Sequence, residues 1–174
     1  MAMLGALEPG ASYYTLDTGL GWLLQRVARE VAAGRRALLI TRRPRRWVER
    51  THHIEGVETL HFRMDRAPAG AASDALHPEN VGRIFTAVRD FLGRHKGAVV
   101  VIDGADVLAF YNGFPMFVKL LYTINDIVWS SGGTVVFLID PRTFRRREIH
   151  IIQKELLELR SPESRVGVED AAEG

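Results

Sequence analysis

Cysteine is missing from all 174 residues. Its absence excludes a disulfide framework and any thiolate metal site. Long apolar runs are missing too. Nothing approaches the roughly 18 residues of a membrane span, so no membrane insertion is expected. The opening stretch, Met1 to Gly10, carries neither a basic region nor a secretory apolar core, and a cytoplasmic protein is the expectation. A strong excess of one charge is also lacking. The net charge is +2 and the isoelectric point about 9.2, so where the arginines gather matters more than how many there are.

What is present has the balance of a globular domain. Hydrophobic residues make up 47% and charged residues 25%, and the length suits one domain with a substantial core. The chain is organised around Val99-Val100-Val101-Ile102-Asp103-Gly104. Four β-branched residues without alternation predict a strand covered on both faces. Its acid then falls at the sheet edge where open α/β folds bind ligands. In nucleotide hydrolases this pattern is the Walker B strand, whose Asp helps hold magnesium. Asp-Gly also simply makes a turn, and both readings stand at this point.

Other segments alternate around it. Ser12 to Leu16 and Ala37 to Thr41 read as strands, as does Thr134 to Ile139 with the exit turn Asp140-Pro141. Val57 to Phe62 reads as an edge strand. Leu20, Leu23, Leu24, Val27 and Val31 recur at helical spacing, with Gly34 ending the helix. Pro44 suits the first turn of a short helix carrying Trp47 and Val48. His77-Pro78-Glu79 opens a helix with Val81, Ile84, Phe85, Val88 and Leu92 on its apolar stripe. Phe114-Pro115 opens another, broad enough in its apolar face to be buried on two sides. A last helix is expected from about Thr143 to Leu159. The expected fold is a three-layer αβα sandwich on a mostly parallel sheet. Residues 1–11 form an N-terminal extension, 12–160 a single domain, and 161–174 a disordered acidic tail. Ala67 to Ser73 reads as an exposed loop.

One sheet edge should therefore gather Asp17, Thr18 and Gly19; Arg42 and Arg43; Asp103 and Gly104; and Asp140 with Arg142, Arg145, Arg146 and Arg147. A phosphate-binding loop needs glycines, a lysine and a Ser/Thr for magnesium. The stretch Thr18-Gly19-Leu20-Gly21 lies between first strand and first helix, but Leu20 falls where the lysine would be and Gly21 where the hydroxyl would be. No acid follows Ile40-Thr41 to activate water. Triphosphate hydrolysis is not expected. Asp103, Asp106 and Asn112 make a candidate polar pocket with Thr18, Gly19 and Asp140, although Asn112-Gly113 also reads as a structural turn. Arg42, Arg43, Arg45 and Arg46, with Arg142, Arg145, Arg146 and Arg147, read either as solvated helix flanks or as one basic face for an acidic partner or nucleic-acid phosphates. Trp47 reads as core or as a base-stacking platform. The histidines form no partnered motif and the serines no nucleophile elbow. No metal, cofactor or catalytic residue is expected.

Several pieces in order carry a resemblance: Ser12-Tyr13-Tyr14; Leu39-Ile40-Thr41-Arg42 with Pro44; Val101-Ile102-Asp103-Gly104; Asn112-Gly113-Phe114 with Val118, Lys119 and Leu121; and Asp140-Pro141 with Glu148 and Glu155-Leu156. Over about Ser12 to Leu159 the chain resembles an archaeal family known only as a domain of unknown function, found alone or joined to sensory and membrane modules. That family resembles the RecA and KaiC class of ATPase domains with the phosphate loop eroded. The resemblance implies a RecA-like sandwich with the Asp103 strand central, and no catalytic residues to carry over. The expected function is a non-catalytic regulatory or scaffolding module acting through a protein partner. Nucleic-acid binding through the arginines and residual nucleotide binding without hydrolysis are the alternatives. Self-association into a homo-oligomer fits the same resemblance.

Overall fold

The β-branched run before Asp103 forms the middle strand of the sheet, buried on both faces. The computed structural model describes residues 6–52, 54–65 and 75–163. Its strands are β1 (Ser12–Thr15), β2 (Ala37–Thr41), β3 (Val57–Phe62), β4 (Ala75–Leu76), β5 (Val99–Asp103), β6 (Thr134–Leu138) and β7 (Leu157–Glu158). Its helices are α1 (Leu20–Ala32), α2 (Arg45–His52), α3 (Val81–Arg94), α4 (Ala105–Asn112), α5 (Phe114–Ser131) and α6 (Arg146–Glu155). The strand order is β4-β3-β2-β5-β6-β1-β7, and every pairing is parallel. This is a RecA-like topology, with β6 inserted between β1 and the acid-bearing β5.

The pleat sends alternate residues of β5 into two cores. Val100 and Ile102 pack with Ile84, Val88, Phe117 and Ile124 of α3 and α5. Val99 and Val101 pack with Leu23, Leu24 and Val27 of α1. All four are 0–1% exposed, and burying each contributes roughly 1.5–3 kcal/mol. One helical layer is thus α1 and α2, the other α3 to α6. Among the described residues no helix is long and apolar enough to cross a membrane.

Local chemistry sets the helix ends. Asn80 caps α3 by accepting from the Arg83 N–H at 3.1 Å. Pro115 sits in the first turn of α5, and Gly132 closes that helix in the left-handed region. Gly104 starts α4 at φ +150°, where a Cβ would also lie 2.9 Å from Phe62. Only glycine fits between Asp103 and α4.

Several elements differ from expectation. The last helix stops at Glu155, and Leu157 and Glu158 pair with Tyr13 and Tyr14 as β7; two residues are too few to show a strand period. The β3 strand is not the edge, because the two-residue β4 pairs beyond it. The α3 helix begins at Val81 rather than at His77. The α5 helix buries one wide face, leaving Tyr122 and Trp129 exposed on the other. The stretches 67–73 and 164–174, read as loop and tail, lie outside the described residues.

At the lower edge of the sheet, Arg35 joins four segments. Its guanidinium donates to the carbonyls of Leu7 and Gly97, to Glu30 and to the Thr134 hydroxyl, at 2.6–3.0 Å. Glu30 also accepts from the Leu7 N–H at 2.8 Å. The residues before β1 are thereby tied to the start of β6.

Candidate functional site

Parallel pairing brings the C-terminal ends of β1, β2, β5 and β6 to one edge. There Asp103 lies opposite Thr41. The Thr41 hydroxyl donates to Asp103 Oδ2 at 2.7 Å, and Arg43 Nε donates to the same oxygen at 2.9 Å. The Asp103 side chain is 14% exposed and that of Arg43 33%. In such shelter a charge-assisted bond is stronger than on an open surface.

Arg43 is itself tightly held. Its backbone N–H donates to Thr41 Oγ1 at 3.0 Å, and its carbonyl lies 3.0 Å from His61 Nδ1. Its guanidinium lies 4.7 Å from the Trp47 ring centroid and reaches the Thr18 carbonyl at 3.4 Å. Trp47 is half-buried and meets His52 edge-on at 4.9 Å. It serves as a platform for Arg43 while bordering the α1–α2 core. His52 is held below the usual histidine range, first by burial and then by the nearby Arg43 charge.

The loop after β1 is equally self-contained. Gly19 caps α1, and its N–H donates to Asp17 Oδ1 at 3.1 Å. A carboxylate thus lies at a helix N-terminus, the place a phosphate would take. His52 covers Gly21, where a Cβ would lie 3.1 Å from its ring. The residues present do not fit a magnesium–triphosphate. Leu20 and Gly21 stand where the lysine and the magnesium-binding hydroxyl are needed, a carboxylate stands at the anion position, and Arg43 occupies Asp103 Oδ2.

Asp140 forms a two-pronged ion pair with Arg142, at 3.0 Å and 2.8 Å, and accepts from the Arg142 N–H at 3.0 Å. Those side-chain bonds, then the backbone one, hold its carboxyl below the usual range. Thr18, Arg42, Arg43, Asp103, Asp106, Asp140 and Arg142 line a single cleft of about 570 Å³. Gly19 stays in the cap of α1 beside it. Asn112 lies elsewhere. Its amide donates to the carbonyls of Pro78 and Leu108, at 2.8 Å and 2.9 Å, and fastens α4 to the turn before α3.

The remaining arginines of the two clusters, Arg42, Arg45, Arg46, Arg145, Arg146 and Arg147, are exposed. Arg45 pairs with Glu49 at 2.8 Å. Among the described residues no carboxylate is paired with the side chains of Arg42, Arg46, Arg145, Arg146 or Arg147. Beside the first cleft lies a second of about 700 Å³, sharing Arg42, Met64 and Asp106 with it. Phe110, Tyr111, Phe114 and Phe144 line it. Sequence reasoning missed these aromatics as a surface. The available signal was α4 itself: Val107 to Tyr111 is apolar all round an eight-residue helix, more than one buried face can use.

A family model described as a protein of unknown function, DUF835, matches residues 23–156. The chain belongs to this family. The DUF835 match runs from within α1 to just past α6 and takes in Arg43, Asp103, Asp140, the whole second cleft and every lining residue of the first named above except Thr18. It leaves β1, the Asp17–Gly19 loop and β7 outside. A search of curated proteins finds no match.

Proposed function

We propose that this DUF835 chain is a non-catalytic, RecA-like regulatory or scaffolding module that acts in the cytoplasm by binding a protein partner. The observation that carries the proposal is Arg43, which pairs with the Walker B-type Asp103 where a nucleotide hydrolase keeps that carboxylate for magnesium. The carboxylate of Asp17 at the start of α1 supports it. The strand order and the place of Asp103 support descent from the RecA and KaiC class, within the archaeal family whose motifs the sequence resembles.

A thermal-shift series with ATP, ADP and GTP, each with magnesium, tests this reading. A ligand at 100 times its Kd stabilises by about 2.7 kcal/mol, so a bound nucleotide would be plain. The expected result is no shift and no phosphate release above a blank. A shift that disappears in Asp103→Asn would overturn the reading in favour of residual nucleotide binding.

The unpaired arginines favour nucleic-acid binding as a second reading. It requires affinity that falls steeply with salt and is lost when Arg42, Arg46, Arg145 and Arg146 are all changed to Ser. Binding to neither DNA nor RNA at low salt would remove it.

A further inference from the structure

The second cleft, of about 700 Å³, is larger than the one beside it that holds Asp103. Its floor is the edge-on pair Phe114 and Phe144, with ring centroids 6.2 Å apart. One wall is α4, where Phe110 is 84% exposed and Tyr111 37%; their rings meet edge-on at 5.5 Å. The opposite wall is the turn into α6, carrying Thr143 and Arg145. Aromatic residues, Phe among them, are enriched at protein interfaces relative to the rest of the surface. The core does not explain Phe110, because Ala105, Val107 and Leu108 supply the buried face of α4.

Charge narrows the occupant. Arg42 and Arg145 stand on the rim, and Arg146 and Arg147 follow on the first turn of α6. Two carboxylates also line the cleft, Asp106 and Glu148. Glu148 is already engaged, accepting from the Arg145 N–H at 2.8 Å. The lining itself balances two arginines against two carboxylates, and Arg146 and Arg147 just beyond it tip the charge around the aromatic floor to positive.

We propose that this cleft receives an acidic amphipathic helix of a partner protein. Its apolar residues, at spacings of three and four, would cover Phe110, Phe114 and Phe144, and its carboxylates would meet Arg42, Arg145 and Arg146. The proposal rests on the partner-binding reading above and gives that partner a chemistry. A helix of about 16 residues, ~24 Å long, is the segment to look for.

A displayed library of random peptides of about that length, selected against the full chain, supplies the probe. Selected peptides should be net acidic, with apolar residues at helical spacing. Synthetic copies should lose tenfold or more in affinity to Phe110→Ser and to the double variant Arg42→Glu/Arg145→Glu. All three changed side chains lie on the surface, and circular dichroism with a melt shows that each variant folds. Peptides that bind Phe110→Ser unchanged, peptides that are basic, or no selectable peptide would overturn the proposal. So would single-stranded DNA or RNA binding lost in the arginine variant but kept in Phe110→Ser, which would give the rim to nucleic acid. Nucleotide-induced shifts are read separately, so failure here leaves the non-catalytic reading standing, and failure there does not depend on any peptide.

Discussion

The Arg43–Asp103 pair shows how one side chain redirects a site. A half-sheltered carboxylate needs a counter-charge, and here the chain supplies its own two residues after the neighbouring strand. Replacing Arg43 with Met should cost about 1–3 kcal/mol, because Asp103 keeps only the Thr41 bond. In a double-mutant cycle with Asp103→Asn, chemical denaturation should give a coupling of about 0.5–3 kcal/mol. Strict additivity would mean that the two groups do not interact. His52 gives a pH test. Its folded value lies below about 6.5, so in acid the unfolded chain takes a proton that the folded chain refuses. Stability contributed by neutral His52 is present above about pH 6.5 and is lost as pH falls through the lowered value. Melts on both sides of that pH should show a shallower acid loss in His52→Gln than in the native chain. Asp103 was legible in the sequence because a buried strand pattern ran into it. Its partner was not, because Arg42, Arg43, Arg45 and Arg46 look alike until the turn after β2 points one of them inward.

Helices and strands were legible where a period had room to repeat. The α1 stripe, the β5 run and the Pro115 start of α5 all stand out in sequence. Two-residue strands have no period, so β4 was invisible and β7 was absorbed into the helix before it. The α4 helix was not legible, since its apolar residues mark no single face. Its two ends are nevertheless sharply set. Gly104→Ala should destabilise by about 1–3 kcal/mol from backbone strain alone, with the Phe62 contact adding to it, and calorimetry should show the fall in Tm. At the other end, Asn112→Ala removes both amide bonds and should cost about 1–2 kcal/mol. Hydrogen exchange should then speed up at the C-terminal turn of α4 and leave β5 protected. A uniform change across the fold would argue against a local fastening role.

At the scale of the molecule, the polar groups of the candidate site and those that tie the chain's start to the sheet lie on opposite edges of the sheet. The upper edge carries Arg43, Asp103, Asp140 and the two clefts. The lower edge carries Arg35 and Glu30, which tie the residues before β1 to the starts of the central strands. Arg35→Ala leaves buried Glu30 without its cation and should cost about 3–5 kcal/mol, measured by urea unfolding. A loss below about 1 kcal/mol would reduce the pair to the worth of a surface bridge. The overall architecture was legible because strands and helices alternate. The Arg35 network was not, since an arginine after a helix C-terminus ordinarily reads as solvated.

The sheet stops on both flanks at stubs, β4 and β7, each two residues long. Because β4 covers only His61 and Phe62, residues 58–60 of β3 have no neighbouring strand on that side among the described residues. On that open row the exposed ion pair of Glu58 with Arg36 sets charge where a second copy would have to lie, the usual guard of a bare margin against fibril-like stacking.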